Sequence, residues 1–175
     1  MDKLGLNFGL VIAYLIPGFS ATYALAPHVK AIDALLGGSE RVPSANAVVP
    51  LILMAVAVGI IINAISEVAI RPLIHRSGVK QPKVDTEKLT SEGRRKYDRM
   101  IENHFRYHQF FSNMLVSVLL LGPIWLLWPL HNHILRNASL PIVVVALFLT
   151  ARKALFHFYK GRSTLSDEDS KFQSS

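Results

Sequence analysis

Long runs without a single charged residue constrain this chain more than any other feature: Leu4 to Ala26, Ala47 to Ser66 and Phe110 to Leu130. A helix rises about 1.5 Å per residue and a hydrocarbon core is about 30 Å thick, so about 20 such residues cross it. A fourth run, Leu140 to Ala151, is apolar but short. It spans only with help from His133, Ile134 and Leu135 before it or from Ala154 to Phe158 after it, with Arg152 and Lys153 snorkelling to the head groups. The expected fold is an all-α membrane protein: a four-transmembrane-helix bundle with a cytoplasmic amphipathic helical segment between the second and third spans.

The basic residues orient this bundle. Sixteen of the nineteen Lys and Arg fall at Lys3, between Arg71 and Arg106, or from Arg152 to Lys171; only Lys30, Arg41 and Arg136 lie in the other connections. That asymmetry is the positive-inside pattern and puts both termini and the central loop in the cytoplasm. It also accounts for the net charge of +7 without a nucleic-acid partner. The chain has no cysteine, which excludes disulfides, thiolate metal sites and cysteine nucleophiles.

The N-terminus has a rival reading. Residues 1–26 also resemble a signal peptide, with Ala24-Leu25-Ala26 as the small-x-small cleavage site. The start is only weakly basic because Asp2 offsets Lys3, and Pro27 directly after the cut would hinder a peptidase, so a retained first helix is favoured. Segments such as Gly9-Leu10-Val11-Ile12-Ala13-Tyr14-Leu15-Ile16-Pro17-Gly18-Phe19 look like those of small prokaryotic multipass proteins in general. The expected location is accordingly a prokaryotic inner membrane.

The expected organisation is span one at 1–27, kinked at Pro17-Gly18; an external loop at 28–46 with one helical turn around Val29 to Leu36; and span two at 47–71, stopped by Pro72. A basic loop and amphipathic helix follow at 72–109, capped by Thr86 or Ser91. Span three is 110–130, a short external loop 131–139, span four 140–159, and 160–175 a polar, Ser-rich disordered tail. Within the basic segment Tyr97, Ile101, His104, Phe105 and His108 share one helical face. Arg94, Arg95, Lys96, Arg99 and Arg106 then supply cations for anionic lipid head groups, an anionic ligand or a cytoplasmic protein partner.

Two stripes inside the expected spans carry the functional reading. Gly5, Gly9 and Ala13 recur every four residues and permit close helix packing, within the chain or in a homo-oligomer. On the second span Ala55, Gly59, Asn63, Glu67 and Arg71 share a face, with Ser66 beside it; on the third, Gln109, Asn113 and Ser117 do, with Ser112 alongside. A polar cluster of Asn63, Ser66, Glu67, Arg71, Gln109, Asn113 and Ser117 is therefore expected between these helices. A carboxylate at membrane depth must be paired, protonated or wet, so Glu67 marks either an ion path or an interfacial pair with Arg71 one turn on.

Catalytic signatures are missing. His104 and His108 stand one turn apart but lack a third ligand or an HExxH pattern, so no metal and no cofactor is expected. Neither G-x-S-x-G nor a Walker loop occurs. His131 and His133 read as solvated, and Trp125 and Trp128 as interfacial anchors. The function expected first is an oligomeric ion conduit lined by the polar cluster and gated through the basic segment. Behind it come a non-enzymatic anchor or scaffold that docks a cytoplasmic partner, and, last, an intramembrane enzyme.

Overall fold

The structure is a computed structural model; it describes residues 11–38, 43–82, 90–126 and 133–173, and within the helices it describes side chains except at 102, 103, 123–138 and 166–173. The described chain is all-helical, with no strand. Helix α1 begins as a π turn, Val11–Leu15, and continues as Ile16–Leu25, followed by a short 3₁₀ turn at Ala26–His28. Pro17 stands just past the π turn, near the start of the α part, where its missing N–H removes one bond from a helix that is already wider than α. Helix α2, Lys30–Leu35, lies in the expected external loop.

Helix α3, Ala45–Arg76, is longer than the expected 47–71 and runs through both Pro50 and Pro72. Pro72 does not stop it. The N–H it lacks would have served Val68, which is 79% exposed, so the residue whose helical bond is lost sits on the outer face of the bundle. The helix ends instead at Gly78, whose φ of 97° is a left-handed cap, where Ser77 N–H returns to the Leu73 carbonyl. Arg152 pins this turn by giving Nε to Ser77 Oγ at 2.9 Å and an Nη to the Ser77 carbonyl at 3.1 Å.

Helix α4 has three continuous parts: Ser91–Met100, a π turn at Ile101–Phe105, and Arg106–Leu126. Its cap is Thr90, whose Oγ1 accepts from Gly93 N–H at 3.1 Å. Ser91 is the first helical residue rather than the cap, and Thr86 lies outside the described residues. Helix α5, His133–Gln173, absorbs most of the expected external loop 131–139 and the tail expected to be disordered. The physical reason is a buried stripe that continues past the apolar run: Ala151, Leu155, Phe158, Tyr159 and Leu165 are all buried. Their spacing keeps one helical face against α4.

Among the described residues, two helices are long and apolar enough to cross a membrane: α3, and Ser139–Leu165 within α5. Their outward faces are aliphatic, with Leu53 65%, Ile61 60% and Ile142 67% exposed. The other two expected spans do not reach the same measure. Helix α1 is described only from Val11, and α4 carries a buried row of polar side chains at His108, Gln109, Ser112, Asn113 and Ser117. One correction concerns the amphipathic face of the basic segment. It does not lie open for lipid, because α5 covers it: the Phe158 ring sits 6.2 Å from Tyr97 and 5.2 Å from Phe105.

Candidate functional site: a sealed polar seam and a basic pocket

Close backbone approach builds the first site. A Cβ on Gly18 would run into the Ala55 carbonyl and stand 2.7 Å from Gly59 N, and one on Gly59 would run into the Tyr14 carbonyl. Helices α1 and α3 therefore touch through backbone, which requires glycine at both positions. Ala13 and Ala55 are fully buried along the same contact. Of the expected packing residues, Ala13 and Gly59 take part; Gly5 and Gly9 lie outside the described residues. Gly18, which the sequence suggested only as a kink beside Pro17, makes the tightest contact.

Polar side chains of α4 fill the groove beside this crossing. Ala13 lies in the π turn Val11–Leu15, where the helix is wider than an α-helix. Asn113 gives Nδ2 to the Ala13 carbonyl at 2.8 Å and shares it with Asn63 Oδ1 at 3.3 Å. Ser117 gives its hydroxyl to the Asn113 carbonyl at 2.9 Å and lies 3.4 Å from that of Pro17. Gln109 Nε2 reaches Tyr14 Oη at 3.5 Å. His108, buried, has Nδ1 at 3.1 Å from the Ala151 carbonyl, so that nitrogen carries the proton and donates to α5; Ser112 Oγ stands 3.3 Å from the same atom. Two buried oxygens, Asn113 Oδ1 in the seam and Thr22 Oγ1 on α1, have no hydrogen-bond partner.

The expected cluster thus divides by depth. Asn63, Gln109, Asn113 and Ser117 meet in the seam, and Ser66 is buried nearby without a described side-chain bond. Glu67 and Arg71 pair with each other at 2.5 Å and are about a third exposed. This pair stands at the basic end of the bundle, where a second site opens.

That second site is a half-open cavity of about 200 Å³ lined by Arg71 from α3, Tyr97, Ile101, Phe105 and Arg106 from α4, and Phe158, Tyr159 and Arg162 from α5. Arg162 lies over the Tyr97 ring, 5.9 Å from its centre, a cation–π placement. Arg106 gives Nη1 to the neutral Gln109 Oε1 at 3.2 Å. The buried Tyr159 hydroxyl lies near Arg71 yet completes no hydrogen bond of sound geometry. His75 stacks on the Tyr159 ring at 5.8 Å and fixes its position.

Of the five cations expected to take anionic groups, only Arg106 lines the cavity; Arg94, Arg95, Lys96 and Arg99 point outward, and Lys96 pairs with Glu92 at 3.5 Å. Arg162 was missed because it fell in the expected disordered tail. The heptad-like row from Ala151 to Leu165 was the signal that could have found it. His104 faces His157 rather than a metal set, at 6.0 Å between rings, and no group of three metal-ligating side chains occurs among the described residues. Trp125 lies in α4 and His133 opens α5; Trp128 and His131 lie outside the described residues. No protein family model, no curated protein and no solved structure matches the chain.

Proposed function

We propose that the chain is an integral membrane protein with four spans and cytoplasmic termini, acting as a non-enzymatic anchor whose paired basic helices present a docking site at the cytoplasmic surface. The observation that carries this reading is helix length beyond what a bilayer needs. Helices α4 and α5 run for about 54 Å and about 62 Å at 1.5 Å per residue, roughly twice a 30 Å hydrocarbon core. The surplus of both pairs up, joined by aromatic contacts from Tyr97 and Phe105 to Phe158. Such a pair is a rigid extension of two spans rather than a loose loop.

The absence of cysteine makes the topology directly testable. Single cysteines at His28, Ser91 and Ser163, probed with a membrane-impermeant thiol reagent in sealed vesicles, should label from opposite sides: His28 from outside, Ser91 and Ser163 from the cytoplasmic side. Labelling of all three from one side would sink the four-span reading.

An oligomeric conduit is the second reading, favoured by the partial exposure of Asn63, Glu67 and Arg71. Within one chain the seam is occupied by its own hydrogen bonds, so a path would have to form between copies. Proteoliposomes should then pass ions at a rate that Glu67→Gln alters; equal leakage from protein-free liposomes would leave the anchor reading alone.

A further inference from the structure

Helices α4 and α5 each bring one histidine to the same open cavity. His104 and His157 stand with ring centres 6.0 Å apart, and both line a cavity of about 430 Å³ together with Lys160, Gly161, Thr164 and Leu165. The other two histidines of this end of the bundle serve the fold: His75 and His108 each place Nδ1 on a main-chain carbonyl, of Val79 at 2.7 Å and of Ala151 at 3.1 Å. Neither ring nitrogen of His104 or His157 makes a hydrogen bond or an ion pair, so all their lone pairs are open to a ligand. His104 also lies in the π turn Ile101–Phe105, a widening of the helix that recurs at functional sites.

The separation of the rings suits one shared ion. An imidazole nitrogen binds zinc at about 2.0–2.1 Å and lies about 1.2 Å from its ring centre, so two rings on one ion have centres from about 5.2 Å apart at the tetrahedral angle to about 6.4 Å in line. The observed 6.0 Å falls inside that window. His157 is exposed, so its ring can turn a nitrogen toward His104 without moving either helix. Three ligating side chains are not gathered here among the described residues; two leave the remaining positions to water, the arrangement of an exchangeable site rather than a closed structural one. Imidazole suits copper, nickel and zinc, and copper(II) leads that order of affinity. Lys160 is exposed, and its long stem lets the ammonium stay in water, away from the ion. We propose that His104 and His157 together bind a divalent transition metal ion, copper(II) ahead of nickel(II) and zinc(II), which ties α4 to α5 in their paired extension. The site stands on the helix pair itself and holds whether the extension docks a partner or the chain conducts ions.

The full chain, purified in neutral micelles without a polyhistidine tag, would be titrated calorimetrically with copper(II), nickel(II) and zinc(II), and its thermal midpoint followed with each ion. A rise in midpoint with saturating metal is expected, because an ion held only by the folded pair of helices stabilises it. His104→Gln and His157→Gln should each weaken binding about tenfold or more, at least the loss that follows when a mere outer-shell partner of a metal ligand is removed. His28→Gln, at an exposed position on the far side of the bundle, should leave binding unchanged. Because His157 is exposed, its variant carries the test where His104→Gln fails to fold. Three results would overturn the proposal: no binding at millimolar metal, binding that survives the double variant His104→Gln with His157→Gln, or a loss at one of the two histidines and none at the other. The last would show a single surface imidazole rather than a pair.

Discussion

Gly18→Leu is expected to yield a protein that still enters the membrane but no longer packs α1 on α3. The substitution makes the segment more apolar, so insertion is not impaired. Its Cβ, however, meets the Ala55 carbonyl and Gly59 N, which are backbone atoms and cannot rotate away. Overpacking a core usually costs about 1–3 kcal/mol, and a contact made of backbone on both sides belongs at or above the top of that range. Even Gly18→Ala should lower the thermal midpoint in detergent markedly. Gly161→Ala is the matched control. Its Cβ would press on the Met100 thioether, the flexible end of a side chain that can swing aside, and alanine restores up to about 1 kcal/mol of helix propensity. Comparable losses at positions 18 and 161 would refute the close-approach account.

The second large effect is expected at Asn113. Asn113→Leu keeps the approximate volume and removes the donor that serves both the Ala13 carbonyl and Asn63 Oδ1. Interhelical hydrogen bonds in membranes average only about 0.6 kcal/mol, but stranding a buried acceptor costs about 1–3 kcal/mol. A net loss of about 2 kcal/mol is expected. Asn63→Leu should cost less, since Asn113 keeps its bond to Ala13 and Asn63 is only partly buried. Reversible unfolding of the two single variants and the double variant would measure the coupling. A cost at Asn63 equal to that at Asn113 would show that the pair bond, not the bond to the Ala13 carbonyl, holds the seam.

These two sites show what the sequence could and could not reveal. The four-residue rhythm on α3 and α4 was legible because a helix repeats its face every three to four residues, and Asn63 and Asn113 do meet. What they serve was not legible. The partner of Asn113 is a main-chain oxygen in α1, a hundred residues away, and only tertiary placement brings it there. The tight role of Gly18 was hidden for the same reason, since a glycine beside a proline reads equally well as a hinge. The length of α5 was misjudged on composition: Ser163, Ser166 and the acidic run Asp167-Glu168-Asp169 read as a solvated tail, while Phe158, Tyr159 and Leu165 between them kept the stripe that α4 needed. Arg162 rides on that stripe, so the basic cavity became visible only with the helix.

The π turn at Ile101–Phe105 ties these two sites together. A π turn holds one residue more than the α-helix around it, and each residue turns a helix by about 100°. The turn therefore sets the phase between the two halves of α4. Before it, Tyr97 faces α5 and carries Arg162; after it, Asn113 and Ser117 face α1 while His108 still reaches Ala151. Losing one residue between 101 and 105 would turn the stretch into plain α-helix with both halves still in phase, whereas closing it into α-helix at its present length would swing one half about 100° against the other. A chain closed in that way could preserve its seam only by losing its cavity, so the width of this turn keeps the two sites in register.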